Sequence, residues 1–283
     1  MAYETLIAVD ALKDMLASGS DVLVFDCEFE LGAPDKGAEI YAKGHIPGAR
    51  YAHLDEDLAS PPDGENGRHP LPARVALVAW LRSQGLRKQQ QVVAYDSNGG
   101  AWAARLWWLL RWLGHAPVAV LDGGKPAWMD AGLPLETGSP QPSASGDFEP
   151  GEPLVPTPVN AADVLANIET QDARVLDARD PSRFAGNPNP LDPVAGHIPG
   201  ARNHFFRDNL GPDGRFRPAD ELAEAFTAVL GDEPAILQCG SGVTACHNAL
   251  AMAVAGLPAG RLYPGSWSEW IADPARPVAT GSE

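Results

Sequence analysis

The seven residues Gly44-His45-Ile46-Pro47-Gly48-Ala49-Arg50 recur letter for letter as Gly196-His197-Ile198-Pro199-Gly200-Ala201-Arg202. Identity over that length within one chain marks an internal duplication, and the neighbouring segments repeat in the same order. Val22-Leu23-Val24-Phe25-Asp26 answers Arg174-Val175-Leu176-Asp177, and Gln91-Val92-Val93-Ala94-Tyr95-Asp96 answers Ala235-Ile236-Leu237-Gln238-Cys239. Later, Leu121-Asp122-Gly123-Gly124, running up to Trp128, answers Leu262-Tyr263-Pro264-Gly265, running up to Trp270. A chain built this way adopts one architecture twice, and each half serves as a control for the other.

Each copy alternates short apolar runs with amphipathic stretches such as Val9–Ala17 and Ala219–Leu230, the latter followed by Gly231 as a helix stop. Strands separated by helices imply βαβ units. The expected fold class is α/β, with two tandem domains, each a mostly parallel sheet with helices on both faces. The 283 residues fit two domains better than one. Residues 1–136 form the first, 159–283 the second, and 137–158, rich in Pro, Gly and Ser and without periodicity, read as a stiff connector draped over the surface.

Composition removes several function classes. The net charge of −16, with acid in excess in both halves, makes nucleic acid and anionic membrane poor partners. A small anionic ligand would need a local positive pocket supplied by individual arginines. Three cysteines are too few for a disulfide framework and point to a reducing compartment. The N-terminus lacks the pattern of a signal peptide. The apolar stretch from Ala101 to Leu113 is interrupted by Arg105 and Arg111 and falls short of a bilayer span. The expected location is the cytoplasm.

The stretch that carries chemistry is Cys239-Gly240-Ser241-Gly242-Val243-Thr244-Ala245, placed between a short strand and an apolar helix. A cysteine there faces backbone N–H groups and the positive end of a helix, which favour thiolate over thiol. The first copy has Asp96-Ser97-Asn98-Gly99 at the same turn, so one copy reads as catalytic and the other as scaffold, with the site expected where the two meet. Cys246, in the apolar helix, reads as core. Cys239, Cys246 and His247 lack the spacing of a zinc site, and no metal is expected. A cysteine-dependent phosphatase would need an arginine where Ala245 stands. His45 and His197, kept in both copies, read as structural, and Trp267 and Trp270 as core or interface aromatics.

Together these residues resemble the two-domain rhodanese superfamily of sulfurtransferases. The resemblance rests on the duplicated α/β pattern, a His-Ile-Pro-Gly-Ala in each half, the cysteine loop in the second half only, and the terminal Gly265-Ser266-Trp267-Ser268-Glu269-Trp270. The loop is similar to that of 3-mercaptopyruvate sulfurtransferases, whereas thiosulfate-preferring members usually carry Arg-Lys where Gly240 and Ser241 stand. The resemblance implies a double displacement without a cofactor. Cys239 takes sulfur from a small anionic donor, becomes a persulfide and passes the sulfur to a thiol, thioredoxin or cyanide. A thiosulfate:cyanide enzyme and a non-catalytic rhodanese-like binding module are the alternatives.

The same resemblance assigns roles. Arg183 grips the donor's carboxylate or sulfonate, while the loop residues Gly240, Gly242, Val243, Thr244 and Ala245 bind the persulfide anion. Ser241, His69 and Asp55 match a proton-relay set, with Asp55 and His69 drawn from the first domain. Mercaptopyruvate enzymes have a second arginine ahead of the second His-Ile-Pro-Gly. Here Asn187-Pro188-Asn189-Pro190-Leu191-Asp192-Pro193 contains none.

Overall fold

A computed structural model of the chain describes residues 2–138 and 144–282, so residues 139–143 of the expected connector lie outside the described residues. By packing, the chain divides into two compact units. Unit 1 comprises Met1–Ser60, Pro72–Leu154 and Pro212–Phe216, and unit 2 comprises Pro61–Leu71, Val155–Gly211 and Arg217–Glu283. The short stretch Pro61–Leu71, from the first half of the sequence, thus belongs to unit 2.

Unit 1 contains β1 (Leu6–Ile7), α1 (Val9–Ala17), β2 (Val22–Asp26), α2 (Asp35–Lys43), β3 (Arg50–Tyr51), α3 (Arg74–Ser83), β4 (Gln91–Tyr95), α4 (Ala103–Trp112), β5 (Val118–Leu121) and α5 (Gly124–Asp130). Its five strands are all parallel, in the order β1-β5-β4-β2-β3. Unit 2 contains α6 (Ala161–Thr170), β6 (Arg174–Asp177), α7 (Pro181–Ala185), β7 (Arg202–Asn203), a 3₁₀ turn (Phe206–Asn209), α8 (Ala219–Leu230), β8 (Ala235–Gln238), α9 (Thr244–Val254), β9 (Arg261–Leu262) and α10 (Ser266–Trp270). Its four parallel strands run β7-β6-β8-β9. Every residue of β4 and of β8 is buried. Side chains alternate across a strand, so burial at every position means cover on both faces, as a parallel sheet requires.

The duplication is visible in register. Asp26 of β2 pairs with Tyr95 of β4, and Asp177 of β6 pairs with Gln238 of β8, so Asp96 and Cys239 leave corresponding strand ends. The repeated heptapeptide makes the same joint in each unit. His45 is buried, stacks on Tyr41 with ring centroids 4.1 Å apart, and shares a 2.9 Å hydrogen bond from Nδ1 with the Tyr41 carbonyl. His197 stacks on Phe184 at 3.8 Å and bonds the Phe184 carbonyl at 2.8 Å. The backbones of both histidines exchange antiparallel bridges, His45 with Glu136 and His197 with Ala279. Both imidazoles therefore act as struts, which explains why the copy with Asp96 in place of the loop cysteine retains one.

The described part of the connector is more than a spacer. Gly146 and Phe148 donate backbone bonds to the carbonyls of Arg82 and Leu86, and Gly151 and Leu154 donate to Leu113 and Arg111. Phe148 is buried, edge-on to His115 at 5.4 Å. The segment is thereby fastened to unit 1 up to Leu154, a docking that turn-rich composition does not announce.

Unit 1 also buries Asp26 completely, with Lys125 Nζ 3.9 Å from Oδ2. Burial outweighs the neighbouring ammonium and pushes this carboxyl from its ordinary 3.8 up to about 6. The fold therefore favours the protonated form. The associated stability is present in full below 3.8 and is lost as the pH rises through about 6. An Asp26→Asn variant, neutral at every pH, should gain on the wild type by roughly 3 kcal/mol between about pH 4 and about pH 7 and level off above. Urea unfolding of both proteins across that range checks this, and a pH-independent difference would refute it.

Candidate active site

β8 ends at Gln238, Cys239 follows, and α9 begins at Thr244, so the chain must reverse within five residues. Gly242 makes this possible. It sits at φ +75°, and a Cβ there would collide with the Pro264 carbonyl. A second set of bonds holds the loop from the start of α10. The amide of Cys239 donates to Ser266 Oγ (3.1 Å), which in turn donates to the Tyr263 carbonyl (2.8 Å). The amides of Trp267 and Ser268 donate to the carbonyls of Cys239 and Gly240, both at 3.0 Å. Ser266 itself sits at φ 53°, an unusual conformation for a residue with a side chain. The terminal Ser-Trp-Ser-Glu-Trp motif thus clamps the cysteine loop, and Trp267 and Trp270 are fully buried beneath it.

Cys239 is 2% exposed, and its Sγ accepts a 3.5 Å hydrogen bond from the Ser241 amide. Ser241 Oγ and His69 Nδ1, both buried, share a 2.7 Å hydrogen bond. Val243 and Ala245 are buried and Thr244 is partly exposed, the three lying at the turn into α9. Cys246 is buried one turn on and donates through Sγ to the Gly242 carbonyl (3.3 Å), consistent with a core position.

Unit 1 shows what this kind of turn does with a charge. Asp96 Oδ1 accepts the amides of Asn98 (2.7 Å) and Gly100 (2.9 Å), and Oδ2 accepts those of Trp102 (2.8 Å) and Ala103 (2.9 Å). Four N–H groups of the turn leading into α4 gather around one fully buried carboxylate. The turn after the central strand is an anion cradle, and in unit 1 the chain's own side chain fills it.

Around Gly240 three guanidinium groups meet two carboxylates. Arg183 donates from Nε (2.9 Å) and Nη2 (2.6 Å) to Asp192 Oδ2. Arg179 Nη1 lies 3.6 Å from the same oxygen, while its Nε and Nη2 donate to Asp177 and its guanidinium stacks over Trp267 at 4.6 Å. Arg68 donates from Nη1 to the Leu191 carbonyl (3.0 Å) and to Asp192 Oδ1 (3.4 Å). A Cβ on Gly240 would stand 2.8 Å from Arg68 Nη2 and 3.1 Å from Arg183 Nη2. The segment that lacks an arginine supplies Asp192, the carboxylate that organises the arginines around it.

Of the residues expected from sequence, Cys239, Ser241, His69, Arg183 and the loop 240–245 come together in unit 2. Asp55 belongs to unit 1, just after β3, where its amide donates to His53 Nδ1 (3.2 Å). Arg68, Arg179 and Asp192 are additions of the structure. The first was hidden because no local pattern ties it to a loop far along the chain, although its adjacency to His69 is the one signal that singles it out. Among the described residues no group of His, Cys, Asp and Glu is arranged to hold a metal ion, and no helix is long and apolar enough to cross a membrane.

Residues 8–131 and 160–273 each match the profile of the rhodanese-like domain. The chain belongs to the rhodanese family. It is 51% identical to a probable 3-mercaptopyruvate sulfurtransferase of Pseudomonas aeruginosa, over 99% of this chain and 100% of that protein. It is 39% identical to a putative thiosulfate sulfurtransferase of Mycobacterium tuberculosis, over 99% and 98% of the two chains. Among solved structures, a 3-mercaptopyruvate sulfurtransferase from Leishmania major superposes with a TM-score of 0.84 at 32% identity, covering 94% of this chain and 74% of that one. SseA from Escherichia coli gives 0.81 at 30% identity, covering 94% and 99%. Two rhodanese domains on parallel sheets are thus established, and with them a sulfurtransferase activity.

The glycine at 242 offers a test of the rhodanese loop. Gly200, at φ +80°, has open space around a would-be Cβ, so Gly200→Ala should cost only the left-handed backbone penalty of about 1–2 kcal/mol. Gly242→Ala must also displace the Pro264 carbonyl. It should cost clearly more in urea unfolding and strip most of the turnover. Equal effects of the two substitutions would show that the loop tolerates a side chain at 242.

Proposed function

We propose that the chain moves the sulfane sulfur of 3-mercaptopyruvate to a thiol or cyanide acceptor through a persulfide on Cys239. The observation that carries this reading is a cysteine at the carboxyl end of the central strand, followed by two uncharged residues, the second hydrogen-bonded at 2.7 Å to a buried imidazole. In the first half-reaction the Cys239 thiolate attacks the donor sulfur. A Cys239 S–S bond forms, the donor C–S bond breaks, and its electron pair leaves as the enolate of pyruvate. His69, through Ser241, delivers the proton that converts the enolate to pyruvate. In the second, an acceptor nucleophile attacks the outer sulfur, and the Cys239 thiolate leaves.

Arg183 faces Gly240 and suits the donor carboxylate, and the loop from Gly240 to Ala245 with the start of α9 suits the persulfide anion. Asp55 is included in the relay on the sequence resemblance. The acceptor is a small thiol or thioredoxin, and the cytoplasm, a reducing compartment, suits a chain with an essential thiol. A thiosulfate reading draws on the 39% identical relative and on the positive charge near Gly240.

Steady-state turnover with both donors decides between them. The expected result is a kcat/KM for 3-mercaptopyruvate about tenfold or more above that for thiosulfate, which corresponds to about 1.4 kcal/mol in the transition state. A clear thiosulfate preference overturns the donor. Cys239→Ser should fold normally and form no thiocyanate from cyanide, and residual thiocyanate formation in that protein would eliminate the persulfide.

A further inference from the structure

We infer that Arg68 is a donor-binding residue that supplies the net positive charge of the site, in place of the arginine missing from residues 187–193. This rests on the proposed reading that an anionic sulfur donor reaches Cys239.

The backbone fixes where Arg68 stands. Its amide donates to Ser268 Oγ (3.0 Å), one of the residues that clamp the cysteine loop. The preceding Gly67 sits at φ +85° so close to α10 that a Cβ would lie 2.7 Å from the Gly265 carbonyl. From a backbone held against the clamp in this way, the Arg68 side chain reaches the cysteine loop. The guanidinium is oriented by Nη1, which donates to the Leu191 carbonyl and to Asp192, and Nη2 lies against Gly240. Its Nε is buried and has no hydrogen-bond partner among the described residues.

Charge bookkeeping separates Arg68 from its neighbours. Arg179 is matched by Asp177 through three hydrogen-bonding contacts, and Arg183 is matched by Asp192 through two. Two neutral pairs cannot attract an anion toward a thiolate in a chain of net charge −16. Arg68, the third guanidinium against two carboxylates, is the surplus charge. Geometry agrees with charge. With Nε and Nη2 of Arg183 turned to Asp192, its Nη1 and Nη2 also lie within 4 Å of where a Cβ on Gly240 would stand, and Arg68 Nη2 lies 2.8 Å from the same position. The two Nη2 groups thus lie side by side against the residue that follows Cys239, and a donor carboxylate that reaches the cysteine meets both. Gly240 is what lets the two guanidinium groups come this close, because a side chain at that position would push them apart.

The test is turnover of Arg68→Gln and Arg68→Lys with 3-mercaptopyruvate and, separately, with thiosulfate, each protein checked for folding by its thermal transition. Loss of a charge-assisted contact made to donor should raise KM about tenfold or more with kcat changed far less, and Arg68→Lys should recover most of the loss. A KM unchanged in Arg68→Gln, or a fall confined to kcat, overturns the assignment. If the wild type prefers thiosulfate, the donor reading fails on that measurement alone. Arg68 is then judged by the KM for thiosulfate, which a true anion site raises by a similar factor and a merely structural arginine leaves in place. As an independent readout, pyruvate binding to the Cys239→Ser protein, followed by tryptophan fluorescence, should weaken about tenfold on adding Arg68→Gln. Unchanged binding there overturns the proposal.

Discussion

A turn that leads from a buried parallel strand into a helix gathers amide N–H groups with nowhere to direct them, and such a turn calls for a negative charge. The rest of this molecule follows from how its two halves meet that demand. Unit 1 satisfies it permanently, with four amides closed on the Asp96 carboxylate. Unit 2 puts a thiol at the same strand end, where a sulfur anion is the natural occupant. The same architecture thus yields a sealed turn in one copy and a reactive one in the other.

The reactive turn is also supported from outside. In unit 2 the loop is held from outside by Ser266, Trp267 and Ser268, with Ser266 kept in a conformation it would not choose alone. The charge of the loop likewise comes from elsewhere. Gly240 and Ser241 contribute none, and the guanidinium groups of Arg183 and Arg68 reach over the glycine from two other segments, both tied to Asp192. In a strongly acidic chain this local reversal of sign is confined to a few side chains.

Much of this was legible in the sequence because it is local. The duplicated heptapeptide, the strand runs and the helix of Ala219–Leu230 with its Gly231 stop read directly as α/β, and the observed helix has those bounds. Cys239 stood out because Asp96 replaces it in the other copy. What could not be read depends on contacts between distant segments. Asp192 lies in a stretch noted only for the arginine it lacks, Arg68 in one without periodicity, and Phe148 in a connector whose Pro and Ser content suggests exposure. In each case a partner far along the chain decides the outcome, and no local spacing encodes it.

The Asp96 cradle has one more consequence. A carboxylate carries its charge on an oxygen bonded to the atom beyond Cβ, and a persulfide carries its charge on a sulfur bonded to the atom beyond Cβ. The two place a negative atom the same number of bonds from the backbone. Unit 1 therefore holds, in carbon and oxygen, a standing replica of the loaded state proposed for Cys239. Duplication has left the molecule with its own reference for that charge, held by the amides of Asn98, Gly100, Trp102 and Ala103.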